Sequence, residues 1–213
     1  MRVIVLASRK GGAGKTTICS ALAVEAQRRK AGPVALIDTD PMGGLAHWWN
    51  ERQDETPAFA KVGEGGLKPT LADLQGQGVQ MVFIDTPPMA GDPLRPILSA
   101  ADLVIIPVVP SPNDLRAIGD TLALVEETRR PMIFVVNNAG RGRLTGQAAI
   151  ALSQYGTVSP VTLQTRQDYR SAMIDGRSPG EVDPKSKSAE EITGLWDYVS
   201  GRLVRELGDV AAA

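Results

Sequence analysis

The run Arg9-Lys10-Gly11-Gly12-Ala13-Gly14-Lys15-Thr16-Thr17 follows a short Val/Ile-rich segment and opens a longer amphipathic one. This placement constrains the chain more than any other feature. Glycines between a strand and a helix let the backbone curl so that successive N–H groups point inward, and the helix start adds partial positive charge. Such a concavity holds phosphate. In this pattern Lys15 reaches the β- and γ-phosphates and the Thr16 hydroxyl ligates Mg²⁺, with Gly11, Gly12, Ala13, Gly14 and Thr17 completing the cradle. A plain Gly-rich turn is the alternative, and pattern and context together speak against it.

Short apolar runs alternate with longer amphipathic stretches along the rest of the chain, which predicts parallel strands joined by crossover helices. Strands are expected at residues 3–7, 34–38, 80–85, 103–108 and 132–137, with a sixth near 158–163. Their Val/Ile content without polar alternation suits strands covered on both faces. Helices are expected over residues 15–29, 113–129, 145–155 and 188–207. In the last of these Ile192, Leu195, Trp196, Val199, Leu203 and Leu207 form one apolar stripe. Residues 51–78, rich in Gly, Pro and charge, read as a loop region with room for one short helix. The expected fold is α/β, a doubly wound, mostly parallel sheet flanked by helices. The 213 residues read as one phosphate-loop domain over residues 1–207 with a short tail at 208–213.

Strand-end acids sit where such a sheet binds ligands. Leu36-Ile37-Asp38-Thr39-Asp40-Pro41 places two acids within three residues of an apolar strand. Val82-Phe83-Ile84-Asp85 closes an apolar run on one acid, the form of a Walker B aspartate that holds Mg²⁺ directly or through water.

The net charge of −1 conceals an asymmetry. Residues 129–180 carry seven arginines against Asp168 and Asp175, a balance of +5 that leaves −6 elsewhere. A one-signed field is the footprint of a polyanion partner, although solvated surface arginines account for it equally well. Cys19 is the sole cysteine, which excludes an intramolecular disulfide or a multi-cysteine zinc site within one chain. No apolar run approaches the ~20 residues that span a bilayer, and the start lacks a secretory h-region, so a cytoplasmic location is expected.

The phosphate loop departs from the general pattern, since Arg9 stands where the first glycine belongs and Lys10 follows it. The KGGxGKTT form resembles the deviant phosphate loop of the ParA/MinD ATPases, closest to the small ParA partition ATPases. Asp38-Thr39-Asp40-Pro41 resembles the family's DxDP segment, and Thr86-Pro87-Pro88 with Gly91-Asp92 its switch. The likeness continues through Ala101–Val108, Pro110-Ser111, Asn137, Arg166, Tyr169 and Glu190-Glu191-Ile192.

The resemblance implies ATP and Mg²⁺ as cofactors, with Lys10, Lys15 and Asp40 catalytic. Lys10 acts in trans on the nucleotide of a second subunit, Asp40 orients the attacking water, and Asn137 contacts adenine. Thr16, Asp38 and Asp85 surround the metal. It further implies an ATP-dependent homodimer, nucleoid-associated through non-specific DNA binding, and a ParB-like or cargo adaptor protein that stimulates hydrolysis. Four DNA-contacting candidates stand in the basic segment: Arg166 and Arg170, at helical four-residue spacing, then Arg141 and Arg143 in a Gly-flanked loop. A single cysteine rules out the bridging cluster of nitrogenase-type iron proteins. The ending Leu-Gly-Asp-Val-Ala-Ala-Ala lacks the basic amphipathic helix of membrane-oscillating relatives, so no membrane partner is expected. DNA partition is the leading reading. Positioning of a protein assembly or conjugation complex is the runner-up, and small-molecule ligases of the superfamily stay open.

Overall fold

A computed structural model describes residues 1–89, 91–140 and 142–211, with side chains through residue 204 of the last helix. The elements in chain order are β1 (Arg2–Leu6), α1 (Lys15–Arg28), β2 (Val34–Asp38), α2 (Gly44–Asn50), β3 (Ala58–Ala60), α3 (Leu67–Gly76) and β4 (Met81–Asp85). After a 3₁₀ turn at Asp92–Leu94 come α4 (Arg95–Ser99), β5 (Leu103–Val108), α5 (Pro112–Thr128), β6 (Met132–Val136), α6 (Arg143–Ser153) and β7 (Thr157–Val158). The chain closes with α7 (Gln167–Ala172), α8 (Pro179–Val182) and α9 (Lys187–Ala211).

The strands form one seven-stranded sheet in the order β3-β2-β4-β1-β5-β6-β7, parallel throughout. Successive side chains of a strand point to opposite faces, and here both faces are apolar. Ile4, Leu6, Leu36, Phe83 and Ile105 pack beneath α1 and α9 in one core. Val3, Val5, Ile37, Val82, Ile84 and Ile106 pack against α3, α4 and α5 in the other. That double burial explains why the strands lack polar alternation.

The register aligns the strand ends that matter. Leu6 on β1 and Asp38 on β2 both stand opposite Asp85 on β4. The loops after these three strands therefore leave the sheet at one level, with the phosphate loop in the middle, where ligands gather in open α/β sheets.

Three expectations need correcting. The predicted strand near 158–163 is only Thr157–Val158, because Pro160 cannot donate to the ladder; the chain regains parallel contact through Ala139 and Gln164. Residues 51–78 hold an edge strand, β3, as well as the ten-residue α3. The final helix continues to Ala211, past Leu207 and into the expected tail, where no proline stands to break it. The Leu207 side chain lies outside the described residues.

Candidate functional site

Gly12 and Gly14 adopt φ of +76° and +96°, left-handed backbone that only glycine enters freely, and this curls the loop ahead of α1. A Cβ at Gly14 would lie 2.1 Å from Asn137 Nδ2. That close approach serves a purpose, because Asn137 Nδ2 donates to Ala13 O at 2.7 Å and braces the loop from the end of β6.

Lys15, at the first turn of α1, is 7% exposed. Burial pulls its pKa down, and the nearby charges of Asp85 and Asp40 partly oppose the shift. An ammonium so placed gains most from a charged phosphate in a site that water reaches poorly.

Thr16 Oγ1 donates to Asp85 Oδ2 at 2.6 Å. One hydroxyl and one carboxylate thus meet at the head of α1, a hard-oxygen pair of the kind that would hold Mg²⁺. No cluster of three or more His, Cys, Asp or Glu suited to a metal occurs among the described residues.

Asp85 is 1% exposed and its pKa is pushed up to about 7, chiefly by burial and further by the charge of Asp38, against the opposing bond from Thr16. Between the ordinary value of 3.8 and about 7 the folded chain therefore binds a proton that the unfolded chain releases. Without nucleotide and Mg²⁺, the contribution of Asp85 to stability should be full below about pH 4 and be lost as pH rises through about 7, a change on the order of 4 kcal/mol. Urea unfolding across this window should show the decline, and Asp85→Asn should flatten it; a parallel slope in the variant would remove Asp85 as its source.

Asp38 stands apart from that pair. Its Oδ1 accepts from Asp40 N at 2.9 Å, and its Oδ2 from Leu45 N and Ala46 N at 2.9 and 3.0 Å. Both oxygens are engaged by backbone, so the carboxylate caps α2 and shapes the DxDP turn while its charge is felt at Asp85. Asp40, at the head of this turn, accepts from Met42 N through Oδ1 at 2.9 Å and acts electrostatically on Lys15. Thr39 Oγ1 and Thr86 Oγ1 donate to Asp85 O and Leu6 O, both at 2.7 Å, and stitch the three strand ends together.

A cleft continues from Gly12, Gly14 and Thr17 past Asn137 and Asn138 to Gln164, Arg166, Tyr169 and Arg170. It opens into a cavity of about 520 Å³ lined by Ala139, Gly140, Gly142 and Thr145 and by Gln164, Thr165 and Arg166. One wall hangs on Glu191 of α9. Glu191 Oε2 accepts from Gln164 N at 3.1 Å and Tyr169 Oη at 2.9 Å, and Oε1 accepts from Arg166 at 2.9 and 2.6 Å.

This arrangement corrects the reading of the basic segment. Arg166 precedes α7 rather than lying on it, so it does not share a helix face with Arg170, and its guanidinium is committed to Glu191 beside the cleft. Arg177 is likewise paired with Asp175. Arg170 and Arg143 are exposed, whereas Arg141 lies outside the described residues.

Sequence reasoning also missed the partners of Arg9 and Lys10. Arg9 pairs with Asp120 and Lys10 with Asp114, both on α5. The available signal was Ser111-Pro112-Asn113-Asp114, a helix start with an acid at its third position, in which Asp114 N donates to Ser111 Oγ at 3.1 Å.

A glycine-curled loop on the central strand, a lysine buried at the head of its helix, and a threonine on that helix bonded to the aspartate that ends the adjacent strand define a phosphate-loop nucleotide-binding protein. The chain matches the CobQ/CobB/MinD/ParA nucleotide binding domain over residues 4–177 and belongs to that family. It is 28% identical over 207 residues to Maintenance of carboxysome distribution protein A of Halothiobacillus neapolitanus, covering 92% of this chain and 95% of the relative. It is 28% identical over 247 residues to the chromosome-partitioning ATPase Soj of Thermus thermophilus, covering 95% of this chain and 97% of Soj. The septum site-determining protein MinD of Pyrococcus horikoshii, solved with Mg-ADP, shares the fold at a TM-score of 0.73 and 20% identity, over 93% of this chain and 95% of that one. The protein is thus a P-loop ATPase of the ParA/MinD kind, using ATP and Mg²⁺. No helix among the described residues is long and apolar enough to cross a membrane.

Proposed function

We propose that the protein is a dimerising ATP switch that binds DNA without sequence preference while ATP is bound, and that it serves DNA partition. The arrangement of Lys15, Thr16, Asp85 and Asp40 carries the switch reading. Gly12 and Gly14 hold the backbone N–H groups toward phosphate, and Lys15 offsets charge on the β- and γ-oxygens. Thr16 and Asp85 would hold Mg²⁺, which would supply positive charge to offset that developing on the phosphates. Asp40 orients the water that attacks. Lys10 crosses to the nucleotide of a second copy, as an arginine finger would. Asn137 retains Oδ1 for the adenine amino group while its nitrogen braces the loop.

The likeness to Soj supports DNA as the partner. Arg143 and Arg170 are exposed, and Arg143 begins α6, where a cation opposes the helix dipole and so adds nothing to helix stability. In the ATP-bound state unrelated duplexes should bind with similar affinity, and log affinity should fall with log salt by roughly 0.9 per phosphate contact. Arg143→Ala with Arg170→Ala should weaken binding and flatten that slope. Absence of any ATP-dependent DNA binding at low salt would defeat this reading. The second reading, an ATPase that positions a protein assembly with a ParB-like or adaptor partner, is favoured by the full-length likeness to a carboxysome distribution protein. Identification of a co-purifying cargo separates the two.

A further inference from the structure

The phosphate loop is lashed to α5 at three points. Arg9 N donates to Thr121 Oγ1 at 3.2 Å, Arg9 pairs with Asp120, and the Lys10 ammonium pairs with Asp114. The last of these is unlike the others, because Asp114 is 5% exposed whereas Asp120 is 58% exposed. Lys10 lies in the groove against β5 and α5 with Ser8, Pro107 and Asp114, not in the cleft over Gly12, Gly14 and Thr17. The side chain assigned to a second subunit's nucleotide is therefore held against its own subunit.

We propose that Asp114 is a positioning residue for Lys10: it parks the lysine in cis and sets how readily two copies close around ATP. The inference rests on the reading that Lys10 acts in trans. Ser111 makes the parking reversible. Its hydroxyl donates to the carboxylate that Lys10 holds, and the N-terminus of the seventeen-residue α5 adds its own positive end. When Lys10 leaves, the buried Asp114 charge keeps these two compensations rather than standing bare. A dimer requires two released lysines, so the cost of release enters the association constant twice.

Removing the acid while keeping its shape tests this. Should pairing hold each lysine back about tenfold, Asp114→Asn should dimerise with ATP and Mg²⁺ at a protein concentration about 100-fold lower than wild type, measured by sedimentation. Asp114→Glu should shift back toward wild type. Ser111→Ala, which loosens the helix cap and removes one compensation but keeps the carboxylate, should dimerise no more readily than wild type. The same 100-fold shift in Ser111→Ala would overturn the proposal, since helix loosening would then explain it. Lys10→Ala separates the two layers: an ATP dimer that forms normally without Lys10 overturns the trans reading, whereas a Lys10-dependent dimer indifferent to Asp114→Asn overturns the parking alone. Should Asp114→Asn fail to fold, NMR of the wild-type Lys10 ammonium decides. A Lys10 ammonium correlation to the Asp114 carboxylate in the nucleotide-free monomer, absent from the ATP dimer, is the expected result, and its absence from the monomer would overturn the proposal.

Discussion

Lys15→Ala should reduce ATP turnover by about 1,000-fold, the scale on which a preorganised charge acts at a reacting centre. The wild-type ammonium is 7% exposed and its pKa is already lowered by burial. It is therefore held ready for a phosphate and need not be drawn from solvent when one arrives. Alanine at this position keeps α1, since it is the best helix former, and removes a buried charge whose desolvation outweighs the attraction of Asp85 and Asp40. The loss should thus appear as failed nucleotide binding and turnover in a chain that still folds. Titration with a fluorescent ATP analogue, beside a steady-state phosphate assay and a thermal melt, measures all three. Near-normal turnover in the folded variant would end the phosphate-loop assignment.

Asp40→Ala should separate binding from hydrolysis. The side chain sits on the DxDP turn close enough to act on Lys15. The turn itself is held by bonds that alanine preserves: Asp38 accepts from the backbone N of residue 40, and Gly43 N donates to the carbonyl of that residue at 2.8 Å. Only the bond from Met42 N is lost. Removal of a group that orients or accepts a proton from water should slow the chemical step by about 100- to 10,000-fold while leaving the phosphate cradle intact. ATP binding should persist, and the variant should accumulate as an ATP-bound dimer detectable by light scattering with ATP and Mg²⁺. A variant that turns over normally, or that stays monomeric with ATP bound, would remove Asp40 from this role.

The legible parts of the site share one property: their signals are local. The loop from Arg9 to Thr17 announces itself within nine residues, and Asp38, Asp40 and Asp85 are marked by the apolar strands they terminate. Edge strand β3 escaped because Ala58-Phe59-Ala60 is too short to form a run and lacks the Val and Ile of the inner strands. Arg166 was misread for a different reason. Counting charge within residues 129–180 could not register Glu191, which enters from α9 and neutralises it.

What the sequence by itself determined is the class of machine: a parallel sheet covered on both faces, a phosphate loop at its centre, and acids at the ends of flanking strands. Burial on both faces leaves its trace in every strand, and a glycine-curled loop needs particular residues at particular neighbouring positions, so both can be read without knowing what lies across the fold. Tertiary structure alone decided which groups those residues meet. Lys10 finds Asp114 across 104 positions of chain, and Arg9 finds Asp120 across 111, because β5 lies beside β1 and delivers α5 to the side of the loop. Strand order sets such meetings, and it emerges from packing both faces of the whole sheet at once rather than from any single stretch of residues.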